Sequence, residues 1–276
     1  ETGRWGWVDF SRKVTGLVPF VFAPKVLYHL TMRRLIFAML VLGSGCSSTP
    51  KGSAKPEELQ DEYHLKEDRL YLVGTSEQSI GPMHAGEIFS EDDLPRRYAA
   101  FSTCFRREAG SYGKDTHGIL RVHQFDKVEM FTISKPEDSK KEHELMLRME
   151  EELMQALNLP YRVVELCTGD LSQPSAATYD IEAWLPGQDG GKGQHRETHS
   201  TSNTTDYQAR RLNIRYRPKA DSGKQKAEHV HMLNGTAFAI GRTLIAILEN
   251  YQNEDGSVRI PEALKPYMSD IESISP

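Results

Sequence analysis

Residues 119–131 alternate in character. Arg121, His123, Phe125, Lys127 and Glu129 fall on odd positions, and Leu120, Val122, Val128 and Met130 hold most of the even ones. A period of two sends successive side chains to opposite faces of a strand. The segment is therefore predicted to be a strand with one apolar face and one face carrying cations, an acid, a histidine and an aromatic ring. Residues 100–108 are a second strand, with Ser102, Cys104, Arg106 and Glu108 sharing a face. The ten residues between, AGSYGKDTHG, predict an antiparallel hairpin with a long Gly-rich tip. A solvated face is the usual cause of such a pattern. A flat aromatic among charges, beside a long loop, also makes a cradle for an anionic ligand with a planar base. Further strands are predicted over 70–77, 161–167, 179–185, 194–200 and 229–236, with Thr75 and Glu77 sharing a face of the first.

Two helices stand out. Residues 135–158 begin with Ser134-Lys-Pro-Glu137, a capping-box pattern with an early proline. Leu145, Met149, Leu153 and Leu157 then recur every four residues as one apolar stripe, and Pro160 closes the helix. Residues 237–252 are apolar nearly all round and predict a buried helix. Antiparallel strands with interspersed helices indicate an α+β fold rather than a doubly wound one. No internal repeat is evident.

The first 45 residues are apolar and aromatic, with a helix predicted near 26–42. A Gly/Ser/Pro/Lys-rich linker follows over 43–60. Residues 32–46 resemble a bacterial lipoprotein signal, with arginines, an apolar run, small residues and Cys46. The run is internal, has Gly43 where a larger apolar residue is usual, and is too short to span a bilayer. A buried helix followed by a loop is the preferred reading, with no membrane partner. Residues 1–59 are expected to form a divergent N-terminal segment and 60–276 one domain. The opening Glu1-Thr-Gly reads as mid-protein sequence, so the chain is expected to be a fragment.

The 276 residues suffice for a real core, and 26% charged with 38% hydrophobic residues is a soluble, globular composition. A net charge of −5 excludes wrapping by nucleic acid through global charge. Cys46, Cys104 and Cys167 are far apart and form no CxxC pair, which fits a reducing compartment and gives no zinc signature.

Other candidate residues lie outside the hairpin. Arg196-Glu197 opens a polar stretch, Thr198-His199-Ser200 and onward to Thr205. Asn234-Gly-Thr236 precedes the second helix, which carries Arg242. An arginine there is costly to bury unless it meets an anion, either a ligand or a neighbouring glutamate. Gly110-Ser-Tyr-Gly-Lys114 lacks Walker spacing, and no GxSxG is present. Any bound phosphates must therefore be held by arginines and a carboxylate-held metal.

Phe105-Arg-Arg-Glu-Ala-Gly110, followed by Arg121-Val-His-Gln-Phe-Asp-Lys-Val-Glu129, resembles motif 2 of the class II aminoacyl-tRNA synthetases in its seryl form. Leu233-Asn-Gly-Thr-Ala-Phe-Ala-Ile-Gly-Arg242 resembles motif 3, and Thr75-Ser-Glu77 the Thr-x-Glu serine element. Residues 248–257 and 260–267 are also similar to seryl enzymes, so the resemblance covers about 60–270 and rests on five elements in order. It implies a six- or seven-stranded antiparallel sheet flanked by helices. The implied chemistry is ATP- and Mg²⁺-dependent activation of L-serine to seryl-adenylate, then transfer to tRNA(Ser). A cytoplasmic location and a homodimeric full-length protein are implied too.

The resemblance also implies roles. Arg106 meets the α-phosphate and the serine carboxylate, and Glu108 the adenine amino group. Phe125 stacks on adenine, while Arg242 covers its other side and reaches the γ-phosphate. Arg107, Arg121, Val122, Thr198 and His199 complete the nucleotide site, and Glu197 and Ser200 hold Mg²⁺. Thr75, Ser76, Glu77, Glu129, Asn234 and Thr236 form the serine pocket with Arg106. Glu197 and Ser200 are three apart and would face opposite ways on a regular strand, so a bulge is predicted at Thr198–His199.

The chain departs from the pattern in three ways. The N-terminal helical hairpin that grips tRNA is missing, motif 1 is unrecognisable, and His199 replaces a small serine. The first two put tRNA charging and dimerisation by this chain in question. They leave two alternatives: a relative that loads a carrier protein, and a catalytically inactive interaction or regulatory module.

Overall fold

The computed structural model describes residues 46–47, 61–109, 115, 118–219 and 225–276. The helix expected near 26–42, the lipoprotein-like run except Cys46, most of the 43–60 linker and most of the hairpin tip lie outside these residues.

In chain order the elements are β1 (Cys46–Ser47), β2 (His64–Leu65), β3 (Leu70–Leu72), the short helix α1 (Glu77–Ile80), β4 (Ile88–Ser90), β5 (Arg96–Phe105) and β6 (Gln124–Ser134). Helix α2 (Ser139–Ala156), β7 (Tyr161–Glu165), β8 (Ala177–Leu185), β9 (Gln194–Asn203) and α3 (Tyr207–Leu212) follow. The chain continues through β10 (Arg215–Arg217), β11 (Glu228–His229), β12 (His231–Ala239), α4 (Ile240–Tyr251), β13 (Val258–Arg259) and β14 (Ser273–Ile274).

The expected α+β fold is present, built on a six-stranded sheet of order β5-β6-β12-β9-β8-β7 with every neighbour antiparallel. Helices α2 and α4 cover one face. Val128 and Met130 of β6 meet Met146 and Met154 of α2, Leu233 and Ala237 of β12, and Ala246 and Ile247 of α4 there. These are the even positions of β6, as the alternation required. The odd positions divide: Phe125, Lys127 and Glu129 face a cleft, whereas Phe131 and Ile133 are fully buried in a second core with Ile80, Phe89, Ile214 and Met232.

Several predicted boundaries need correction. The strand expected over 70–77 stops at Leu72, and Glu77 heads α1, so Thr75 and Glu77 share no strand face. Strand β5 begins at Arg96 and ends at Phe105, and β6 begins only at Gln124. Arg106, Glu108, Arg121 and His123 therefore stand on the hairpin's loop arms. One backbone bond, Arg106 N–H to His123 O at 3.0 Å, still ties those arms together. Cys46 and Ser47, expected in a linker, pair with Leu72 and Tyr71.

Helix α2 departs from its predicted stripe by one position. No capping box forms. A 3-10 turn over Pro136–Asp138 precedes it, and the Ser139 hydroxyl donates to Pro136 O at 2.9 Å. The buried row is Ser139, Glu142, His143, Met146, Glu150 and Met154, with Leu145, Met149 and Leu153 half-buried beside it. Two polar groups in that row have partners on the sheet: Glu142 makes a bidentate pair with Arg97 at 2.6 Å, and His143 Nε2 lies 2.9 Å from Thr201 O. Both partners are distant in sequence, so the hydrophobic period alone caught Leu157 and the core-flanking Met149 and Leu153 but not this row. Helix α4 starts at Ile240, because 237–239 extend β12, and only one side is buried, Leu248 being 45% exposed.

Candidate active site

A solvent-connected cleft of about 440 Å³ opens over the odd face of β6. Arg106, Glu108, Arg121, Val122, Phe125, Glu197, Thr198, Ser200 and Arg242 line one side, and Thr75, Glu77, Glu129, Asn234 and Thr236 the other. Five separate sequence elements thus converge on one space.

Strand β9 shows how the backbone achieves this. Ile181 pairs with His199, but Glu182 pairs with Glu197, leaving Thr198 as an extra residue. The bulge predicted from sequence is present, and it brings Glu197 and Ser200 to the same cleft. The same register turns His199 the other way. It is 1% exposed, its ring 5.9 Å from that of Phe238, and burial pulls its imidazole down to about 4, so it is neutral. His199 is therefore no part of the cleft, against expectation. Two further candidates do not line the cleft: Arg107 is exposed outside it, and Ser76 is buried.

Ion pairs and ring contacts dominate the first side. The Arg106 guanidinium lies 5.4 Å from the Phe125 ring centroid, and its Nε donates to Gly74 O at 3.2 Å. Arg106 thus spans the two halves of the cleft. Arg121 pairs with Glu108, a residue held at a positive φ of 54°. Arg242 Nη1 sits 3.3 Å from the Glu197 carboxylate and donates to Glu197 O at 2.9 Å. The glutamate pair considered for Arg242 exists, and it lies at the edge of the cleft.

The second side is deeper. Glu129 is 2% exposed and pairs with Lys127, yet burial raises its carboxyl to about 7. Glu77 Oε1 accepts from Asn234 Nδ2 at 3.1 Å and from Gln208 Nε2 at 2.5 Å.

Sequence reasoning missed Asp61, Ile119, Leu120, Lys127, Ala239 and Gly241, which also line the cleft. Lys127 was on the correct face of β6 and could have been chosen. Asp61 carried no local signal: its carboxylate accepts from Ala109 N–H and its carbonyl from Arg107 N–H, both at 2.8 Å, bracketing Glu108.

The model of the tRNA synthetase class II core domain (G, H, P, S and T) matches residues 60–251. The chain belongs to this family. It is 54% identical over 218 residues to a serine–tRNA ligase of Pyrococcus furiosus, covering 79% of this chain and 46% of that protein. To the Streptomyces coelicolor serine–tRNA ligase it is 53% identical over 217 residues, covering 79% and 49%. The chain spans about half the length of the curated relatives it matches. Its fold is similar to a crystal structure of seryl-tRNA synthetase from Pyrococcus horikoshii complexed with ATP (TM-score 0.77, 46% identity, 91% of this chain and 56% of that one). A cytoplasmic serine–tRNA ligase from Naegleria fowleri in complex with AMP gives a TM-score of 0.78 at 38% identity, covering 93% and 61%.

Proposed function

We propose that this chain is the catalytic part of a serine–tRNA ligase, activating L-serine with ATP and passing the seryl group to tRNA(Ser). The observation that carries the reading is the bulged β9. It joins Glu197 and Ser200 to Arg106, Phe125 and Arg242 in one cleft, beside a carboxylate-lined recess for an amino acid. The names of the relatives described above agree with it.

In this reading the serine carboxylate attacks the α-phosphorus of ATP, the bond to pyrophosphate breaks, and seryl-adenylate forms. Arg106 offers its donors where negative charge grows on the α-phosphate, and needs no proton transfer to do so. Phe125 presents its ring to adenine, Arg242 covers the other side, and Glu108 accepts from the adenine amino group. A terminal ribose hydroxyl of tRNA then takes the seryl group and AMP leaves. Glu77 and Glu129 bind the serine ammonium and hydroxyl with Thr75, Asn234 and Thr236. A pocket built around a hydroxyl discriminates well against alanine, because its polar groups would go unpaired.

Glu197 and Ser200 fit Mg²⁺. They are hard oxygen donors on the same wall, with the Asp180 carboxyl hydrogen-bonded to Ser200. That ion typically takes one or two protein oxygens and fills its shell with phosphate and water. When bound it would neutralise phosphate charge.

Residues 60–276 are taken as the catalytic unit and 1–59 as a separate segment. A cytoplasmic location and a homodimeric full-length protein belong to the same proposal. Among the described residues no helix is long and apolar enough to cross a membrane.

ATP–pyrophosphate exchange with serine, threonine, alanine and glycine tests the activation step. Serine alone should stimulate exchange, and no exchange with any of the four would overturn the reading. Charging of tRNA(Ser) by the same chain tests the second step and separates a tRNA ligase from a carrier-loading relative.

A further inference from the structure

We infer that Gln208, which does not line the cleft, is a positioning residue for amino-acid selection, acting through Glu77. The inference deepens the proposed function and rests on it.

The argument begins with what each group can donate. An ionised carboxylate accepts hydrogen bonds and donates none. Gln208 approaches Glu77 Oε1 to 2.5 Å, so its amide must face Glu77 with the NH₂ end, as a carbonyl there would oppose the carboxylate oxygen. The Thr204 hydroxyl gives its single proton to Met232 O at 2.7 Å and lies 3.3 Å from Gln208 Oε1, so the contact with Glu77 is what sets the orientation of the amide.

Asn234 Nδ2 donates to the same Glu77 oxygen at 3.1 Å. Two amide donors from α3 and β12 therefore converge on Oε1. This fixes the rotation of the carboxylate and leaves Oε2 as the oxygen presented to a ligand in the cleft.

The three side chains come from segments far apart in sequence. Glu77 stands at the first position of α1, a helix of only four residues with no side-chain cap. Helix α3 is 131 residues further along, and its C-terminal Asn213 turns left-handed at φ 55° to lead into β10. Among the described residues, the hydrogen bonds to the Glu77 side chain come from Gln208 and Asn234. Its two donors are both supplied by tertiary contact, one from a residue in the cleft and one from behind it. Asn234 can itself meet the ligand, so Gln208 is the donor whose role is to hold Glu77.

The test is serine-dependent ATP–pyrophosphate exchange by the full chain carrying Gln208→Met or Gln208→Glu, with KM measured separately for serine and for ATP. Methionine keeps the length and removes the donor, whereas glutamate keeps the shape and opposes the Glu77 carboxylate. Loss of a charge-assisted donor predicts a serine KM raised about tenfold in the methionine variant and further in the glutamate variant, with the ATP KM within about twofold of the parent. Gln208→Asn, with the same amide on a stem one carbon shorter, should fall between the parent and the methionine variant.

A serine KM within about twofold of the parent in both main variants would overturn the inference. So would equal rises in both KM values together with a lowered Tm, which is the signature of a merely structural side chain. If one variant does not fold, the other decides. Absence of serine-dependent exchange in the unsubstituted chain is a different failure, which removes the proposed function itself and this inference with it.

Discussion

The two ends of the cleft solve opposite problems with the same residue types. At the proposed nucleotide end, charges are partly exposed and paired with one another: Arg121 with Glu108, and Arg242 with Glu197, whose side chains are 27% and 49% exposed. Such pairs contribute little to stability and are readily exchanged for ligand contacts. At the amino-acid end Glu129 is almost wholly buried, and burial outweighs even the adjacent Lys127 in setting its proton affinity. In the proposed function, the nucleotide end is built to be rearranged by a large anionic ligand. The amino-acid end holds its carboxylates in place before any ligand arrives.

Arg106 bridges the ends, so its loss should have the largest effect. Arg106→Ala should lower pyrophosphate exchange by about 10²–10³-fold, the scale of a lost transition-state donor. Near-normal exchange in that variant would mean that the site is wrongly drawn. Glu129→Gln should separate the ends, raising the serine KM by about tenfold or more and leaving the ATP KM close to the parent value. Phe125→Leu should do the reverse, weakening ATP by about five- to tenfold through lost stacking, with serine little affected.

The burial of Glu129 gives a pH dependence. In the proposed pocket it is ionised Glu129 that accepts from serine, so the serine KM should fall as pH rises through about 7, and this dependence should vanish in Glu129→Gln. Stability runs the other way. The carboxyl is raised above its unfolded value of about 4.5, so between there and about 7 the folded chain holds a proton that the unfolded chain has released. Its contribution to stability is full below that window and declines as pH rises through it, which thermal melts across pH 4–8 can follow.

The smallest expected effect concerns the helix-covered face. Glu150 on α2 is fully buried, and among the described residues neither carboxylate oxygen has a hydrogen-bond partner. Burial, then the nearby Glu129, pushes its carboxyl well up, so it is neutral. Glu150→Met removes an unpartnered polar group and should raise Tm by about 2–6 °C without changing either KM. A fall in exchange would show that this face is coupled to the cleft.

Legibility in the sequence tracked how local the cause was. Alternation in β6 placed Phe125 and Glu129 on the cleft-facing side, and the bulge predicted from the three-residue gap between Glu197 and Ser200 is present at Thr198. The strand ends were misread around Thr75 and Arg121, where polar side chains lie on loop arms whose shape depends on remote partners such as Asp61. His199 was misassigned because the bulge that turns Ser200 into the cleft turns its neighbour into the core. The buried row of α2 was missed because Glu142 and His143 are satisfied only by Arg97 and Thr201 on other strands.

By itself the sequence determined which face of β6 is apolar and that the sheet is antiparallel. Those properties follow from side-chain period and residue type within a single segment. The tertiary structure alone decided which charges are paired, which carboxyl is desolvated, and which donors fix Glu77. The Glu77 donors come from 131 and 157 residues away and the Arg242–Glu197 pair from 45, while the desolvation of Glu129 needs water excluded by the whole fold, and neither distance nor burial is encoded in any short stretch of chain.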